Sequence, residues 1–413
     1  MVTTTRRGAL DLLSSLLGNA GLQLVGVVTA VMAARIFDPS ARGEIAAAVT
    51  WLLIMSAVAD LGLSQSVPYY VARKVRAAGS TSIALVVAVS ICLAPLFVFL
   101  PGIVGYRLSA SALAYSVAGV PFCLIISYVG GVFQGESRHR LLTLVRLLGC
   151  MPYAIALVAA AVGRYSPDAV LWQALGLTVT VCLLLCLWSR RSSLLSERPT
   201  LQLAGLLTSY GLRTYPGNLA WMATQRIPML LVGGLAGTAS LGYYTVAQSY
   251  AVIPFAVASA FALMAPGRIG SCSGADSVKA SRKLCRFGLL ATWGVVVVLV
   301  PITNLTLVPV FGRAYEPSVG PAVLLVIGAG LFGQNFVLSA SLRALDYPSV
   351  PSFAEAAGLV AVLISCPFFV QWFGWVGAAW ATVVGAGIVS VLLLIFLRRC
   401  HNSRLLGLER SSA

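Results

Sequence analysis

Acidic side chains are scarce in this chain: 12 Asp and Glu stand against 28 Lys and Arg, with only 2 His, in 413 residues. Charged residues of either sign make up 10% of the sequence, where a soluble domain carries roughly 25%. Apolar residues reach 59% and the mean hydropathy is +0.92. Such a composition excludes a soluble globular fold and describes an all-α polytopic membrane protein. Signs of catalysis are missing too. There is no CxxC, no Cys/His cluster and no Walker A sequence, so no metal, no cofactor and no ATP-driven step is expected. The loops on the less basic side are a handful of residues each, with Asp38, Glu44, Asp168 and Glu316 as their acids. A membrane glycosyltransferase, polymerase or ligase needs carboxylates or histidines on sizeable external loops, so an enzyme is not expected.

What the chain does have is long apolar runs. About 20 mostly apolar residues cross a bilayer, and twelve such runs are read: Leu10–Ile36, Gly43–Val71, Ser82–Val104, Ala110–Gln134, Leu141–Val162, Ala169–Trp188, Leu206–Ala236, Leu241–Met264, Phe287–Phe311, Val319–Ala340, Ser352–Val370 and Val376–Leu397. Lys and Arg fall unevenly between them. Arg6, Arg7, Arg73, Lys74, Arg76, Arg138, Arg140, Arg190, Arg191, Arg198, Lys279, Arg282, Lys283, Arg286 and the basic tail share one side; Arg35, Arg42, Arg107, Arg164 and Arg313 take the other. The positive-inside rule then predicts a multi-pass protein of the cell membrane with both termini cytoplasmic. The net charge of +16 follows from that topology and from attraction to anionic lipid headgroups. No basic stretch is joined to a soluble domain, so nucleic acid is not an expected partner. The first apolar run is longer than a signal-peptide core and reads as a span. Nine cysteines, mostly within spans, are expected as buried reduced thiols, and His139 and His401 as solvated side chains. Tyr69, Tyr70, Tyr243, Tyr244 and Tyr250 read as interfacial belt aromatics.

The two halves resemble each other. Gly18–Ala48 and Gly217–Ala247 align without a gap, Gly18-Asn19 on Gly217-Asn218 and Gly43 on Gly242. Gln134–Gly149 aligns in turn with Arg343–Gly358, which sets Arg146 opposite Glu355. The expected organisation is an N-terminal six-helix lobe over 1–188, a cytoplasmic linker over 189–205, and a C-terminal six-helix lobe over 206–413 with a short tail. With six spans each, the lobes should be related by an axis along the membrane normal and face a central cavity.

Charges inside the membrane are expensive and usually face a cavity or a partner. Arg226 is the deepest cation; it either lines a cavity or pairs with an acid. Arg213 and Arg146 lie shallower and either bind substrate or snorkel. Arg213 and Arg226 share a cavity only if their helix bends, for which Pro216-Gly217 and Pro228 are the means. Asp60 and Glu355 are the buried acids and the candidates for ion coupling; Asp60 alternatively caps contacts with a neighbouring helix, and Glu355 alternatively pairs with Arg146. Ser15, Asn19 and Gln23 form a polar stripe on the first span, and Asn218 and Gln225 one on the seventh. Such stripes line a cavity or bond neighbouring helices.

The stretch "ARIFDPSARGEIAAAVTWLLIMSAVADLGLSQSVPYYVARKV", Ala34–Val75, has a span, a Pro-x-x-x-Gly turn, a second span ending in "ADLGL" and a basic loop. It resembles the N-terminal signature of the polysaccharide-export branch of the MOP flippase superfamily, and "GTASLGYYTVAQSY", Gly237–Tyr250, resembles that family's second turn. The resemblance implies a MATE/MOP-like fold and a flippase for a polyprenyl-diphosphate-linked oligosaccharide in surface polysaccharide biosynthesis, by alternating access. Its implied partners are that lipid-linked oligosaccharide, membrane lipids, and glycosyltransferases and a polymerase of the same pathway. The rivals are a MATE-like exporter of cationic drugs, which would want acids lining the N-lobe cavity, and a non-transporting scaffold of a polymer-assembly complex. A diphosphate is anionic and a guanidinium fork matches its oxygens. The expected substrate contacts are therefore Arg226, as the main diphosphate contact, and Arg213 and Arg146, with Asn19, Gln23, Asn218 and Gln225.

Overall fold

A computed structural model describes the backbone of residues 21–75, 77–136, 138–191, 197–270, 274–345, 347 and 349–411. Ser15 and Asn19 of the expected polar stripe lie outside the described residues, as do the side chains of His139 and His401.

Among the described residues the chain is helical throughout. In order, α1 spans Gly21–Ile36, α2 Pro39–Asp60, α3 Leu63–Ala72, α4 Ala78–Ile103, α5 Ala110–Gly135, α6 His139–Gly163, α7 Pro167–Arg191, α8 Leu201–Ala236, α9 Thr238–Tyr250, α10 Val252–Gly270, α11 Gly274–Phe311, α12 Val319–Ala344, α13 Ser349–Phe373 and α14 Val376–Ser411, with a 3-10 turn at Arg313–Ser318 before α12. Nine of the described helices are long and apolar enough to cross a membrane, or ten if α9 and α10, bent by 43° at Ala251, form one span. Two of the twelve expected spans are outside that set. The first is described only from Gly21. The seventh, α8, is one 36-residue helix in which Arg213, Asn218, Gln225 and Arg226 interrupt the apolar run. At 1.5 Å per residue it is about 54 Å long, enough to cross.

The chain divides into two compact units, Met1–Met222 and Ala223–Ala413. The boundary between them falls inside α8. The reason is local: the first half of α8 is tied to α2 and α3. Ser66 Oγ donates to the Leu207 carbonyl at 2.8 Å, Tyr215 Oη to the Val58 carbonyl at 3.2 Å, and Tyr69 stacks on Tyr210 with ring centroids 4.2 Å apart.

In the first unit α5 is the most buried span and packs against α2, α3, α4, α6 and α7. Small residues allow it. Gly131 packs against Val67 and Pro68, and a Cβ on Gly135 would lie 2.7 Å from the Pro68 carbonyl and from Val71. Without a hydrophobic drive between helices in lipid, such close backbone approach is what holds them. The second unit repeats the arrangement with α12, which packs against α9, α10, α11 and α14. There Gly330 faces Val296 and Gly333 faces Ala258, with no room for a methyl group at either.

The expected second span is not one continuous helix. It stops at Leu61 and Gly62, both left-handed at φ 48° and 76°, and restarts as α3. Gly62 and Gly211 of α8 touch backbone to backbone, so a Cβ on either would overlap the other's main chain. Glycine is required there twice over, by its positive φ and by that approach.

Three further expectations are corrected. Arg42, counted as a loop cation, is buried in the first turn of α2, where its Nη1 donates to the Ala30 carbonyl at 2.6 Å. The helix begins at Pro39, a favoured first position, and so carries the arginine inward. Tyr244, expected in an interfacial belt, is 1% exposed and shares a hydrogen bond with Thr382 at 3.2 Å. Among the eight described cysteines, Cys92 and Cys150 are exposed rather than buried. Cys150 lies one turn beyond Arg146 on the same face of α6.

Candidate functional site

The first unit contains a cavity of about 390 Å³ whose walls come from one face each of five helices. On α5, Tyr115, Gly119, Cys123, Ser127, Gly130 and Gln134 line it three or four residues apart, with Ile126 and Gly131 beside them. Leu142, Val145, Arg146 and Gly149 repeat that spacing on α6. Leu52 of α2, Ser64 and Gln65 of α3, and Leu175 and Thr178 of α7 close the walls. From Tyr115 to Gln134 is roughly 28 Å along a helix, most of a membrane's thickness.

The chemistry concentrates in four side chains. Gln65, Ser127, Gln134 and Arg146 are all exposed into the cavity, and none has a side-chain hydrogen bond to another described residue. Three neutral polar groups and one guanidinium therefore face a space that can hold a ligand. The lining contains no carboxylate. Asp60 lies behind the wall and is occupied: its Oδ1 accepts from the Ser64 amide at 3.1 Å and from Tyr128 Oη at 3.0 Å, and its Oδ2 accepts from Ser64 Oγ at 2.8 Å. Its geometry is that of a cap over the α2–α3 break and a tether to α5.

The other expected site residues scatter. Arg213 and Asn218 are exposed on α8, and Gln23 on α1 is half-buried. Gln225 and Arg226 are half-buried on α8 in the second unit. Arg226 Nη1 reaches the Met229 thioether at 3.6 Å, and no described carboxylate lies within ion-pair distance of it. It is about 15 Å from the C-terminal end of α8, the half-thickness of a bilayer core. The helix runs unbroken past Pro216, Gly217 and Pro228. Arg213 belongs to the first unit and Arg226 to the second.

Glu355 on α13 is half-buried in the second unit, and its Oε2 lacks a hydrogen-bond partner among the described residues. Its charged neighbour there is Arg343.

Sequence reasoning missed Gln65, Ser127, Gln134 and Tyr128. Each is a single polar residue in an apolar run, and the signal was their phase: Ser127 and Gln134 are seven apart on α5 and share a face with Cys123.

Each unit also breaks its second helix, α2–α3 in the first and α9–α10 in the second. Interrupted segments at corresponding places in two halves are a hallmark of transporters, whose sites they border.

Fold and cavity together describe a polytopic α-helical membrane protein with a cationic pocket in its first unit. The chain matches the polysaccharide biosynthesis protein family over residues 9–265, more than half its length, and belongs to that family. No curated protein matches it. Among solved structures it is similar to the lipid II flippase MurJ in an inward closed conformation, with a TM-score of 0.76 at 13% identity over 94% of this chain and 89% of that one. An inward-facing multidrug resistance MATE family transporter of the MOP superfamily gives 0.73 at 13% identity over 96% and 100%. A MOP superfamily transporter from Pyrococcus furiosus, described as having a binding pocket of reverse polarity, gives 0.62 at 13% identity over 95% and 96%. The fold is that of MOP superfamily transporters.

Proposed function

We propose that this protein is a flippase that carries a polyprenyl-diphosphate-linked oligosaccharide across the cell membrane for surface polysaccharide synthesis, opening alternately to the two sides. The observation that carries the reading is the cavity of the first unit. It presents Arg146 and three unpartnered polar side chains, and no acid, to a space reaching most of the way across a bilayer. Arg146 would neutralise the diphosphate, and its planar fork would hold two phosphoryl oxygens at once. Gln65, Ser127 and Gln134 would exchange hydrogen bonds with sugar hydroxyls, while the polyprenyl tail stays in lipid. Membership of the polysaccharide biosynthesis family and the likeness to a flippase of lipid II support a lipid-linked substrate. No bond is made or broken, so the protein acts as a carrier.

Arg226 is the second proposed anion contact. A guanidinium at mid-bilayer costs about 2.5–3.5 kcal/mol on insertion scales, and only a thioether meets it in the described structure. Export of cationic drugs is disfavoured by the absence of a carboxylate from the cavity lining.

The test is transport by the purified protein in proteoliposomes, using a fluorescent polyprenyl-diphosphate oligosaccharide and a membrane-impermeant quencher. The expected result is protein-dependent loss of protection, abolished in Arg146→Ala. Export of ethidium without movement of the lipid-linked sugar would favour the drug-antiporter reading instead.

A further inference from the structure

A second recess lies in the second unit, between α10 and α11. Its walls are Phe261 on α10 and Ala280, Leu284, Phe287, Leu290 and Ala291 on α11, and its rim carries Arg268 and Lys283. The α11 members recur three or four residues apart and so form one face. Phe261 and Arg268 are seven apart and likewise share a face of α10. The register of the two helices fixes their depths. Gly288 packs against Phe261, where an added Cβ would come within 3.3 Å of the Phe261 Cβ. Two turns nearer the connecting loop, Arg268 is therefore about level with Ala280–Leu284, and both cations crown the same end of an apolar trough.

The recess opens outward. Phe287 is 53% exposed and Leu290 60%, on a helix apolar enough to cross a membrane. Exposed apolar side chains at that position face lipid. Arg282, Arg286 and Lys279, the last paired with Asp276 at 3.4 Å, lie at the same end of α11, which is the Lys/Arg-rich side of the chain.

We propose that this recess is a binding site for one anionic diacyl phospholipid of the leaflet on the basic side, its phosphate held by Arg268 and Lys283 and an acyl chain lying along Leu284, Phe287 and Leu290. Charge complementarity selects the anionic lipid. A zwitterionic headgroup brings its own cation toward two fixed cations, and an uncharged lipid offers them no counterion. A soluble anion would leave the trough's apolar wall unused. Each basic residue near an anionic headgroup contributes about a fivefold gain in occupancy. The inference concerns the outer surface of one unit and is independent of what the protein carries.

Native mass spectrometry of the full-length protein, purified from detergent micelles doped with equal phosphatidylglycerol and phosphatidylcholine, tests it. The wild type should retain one phosphatidylglycerol in preference to phosphatidylcholine. Arg268→Gln/Lys283→Gln should weaken that retention roughly 25-fold, and Arg138→Gln/Arg140→Gln, with the same change in charge, should leave it intact. Ala291→Trp, which fills the trough without touching a cation, should also lower retention, which separates a lost site from a lost fold when both variants keep wild-type helicity. Equal retention of the two lipids, unchanged retention in the double glutamine variant, or equal loss in the Arg138/Arg140 control would overturn the proposal. Displacement by glycerol phosphate alone would overturn it in favour of a soluble anion, and displacement by a polyprenyl phosphate at lower concentration would overturn it in favour of an isoprenoid lipid.

Discussion

Tyr128 Oη donates to Asp60 Oδ1 across 3.0 Å, joining the C-terminal half of α5 to the break between α2 and α3. Both residues are buried, and the carboxylate takes two more hydrogen bonds from Ser64. An acid so fully engaged by its own unit serves as a joint.

Tyr128→Phe should therefore lower thermal stability by about 1–3 kcal/mol, the cost of leaving a buried acceptor short of a donor, while transport survives. Asp60→Asn keeps most of the geometry and should be milder than Asp60→Ala. Differential scanning fluorimetry in detergent reads the effect. Because the two side chains share one bond, the double variant Tyr128→Phe/Asp60→Asn should lose less than the sum of the singles. Strict additivity would mean the contact carries no energy.

The meeting of Gly62 with Gly211 is a second test of the joint. Gly62→Ala puts an L residue at φ 76° and drives its methyl group into the Gly211 carbonyl. The left-handed conformation alone costs about 1–2 kcal/mol, and overpacking adds about 1–3 kcal/mol. Gly211→Ala meets the overlap without the φ term, so it should be the milder of the two in melting temperature.

Cavity chemistry predicts a split between stability and transport. Arg146→Ala should melt like the wild type, because the guanidinium has no described partner to lose, and should move no lipid-linked sugar. Arg146→Lys keeps the charge without the fork and should retain part of the rate. A large fall in melting temperature for Arg146→Ala would show that the arginine is structural.

Arg226→Met is expected to raise the melting temperature, since it removes a half-buried charge at mid-span and keeps an unbranched apolar chain. Transport should fall in the same variant. Full transport at normal expression would remove Arg226 from the path of the substrate.

Tyr106, in the turn between α4 and α5, is 5% exposed and packs edge-on to Trp51 with ring centroids 5.9 Å apart. Its hydroxyl finds no protein partner among the described residues, and burial pushes its pKa from 10.0 up to about 12. Above pH 10 the unfolded chain releases this proton while the folded one keeps it, so stability should fall between pH 10 and about 12. Tyr106→Phe should flatten that fall and leave stability at neutral pH unchanged or slightly raised. Chemical unfolding at pH 8 and pH 11 compares the two.

The membrane class, the helical content and most span positions were legible in the sequence, because a bilayer demands a continuous apolar run for each crossing and leaves it in the composition. Arg226 and Asp60 stood out for the same reason: a charge in an apolar run is visible without a structure. Three-dimensional packing decided what those charges meet. Asp60 found its partners 4 and 68 residues away, in Ser64 and Tyr128. Arg42 turned inward because α2 starts at Pro39, and the break at Leu61-Gly62 follows from contact with Gly211, which lies far along the chain. The cavity was hidden for a related reason. Gln65, Ser127, Gln134 and Arg146 are ordinary polar residues singly, and only the packing of α3, α5 and α6 turns their faces to one space. Hydropathy is local, so sequence carries it. Which face of a helix meets protein, lipid or an open cavity depends on neighbours distant in the chain, and that is settled only when the helices pack.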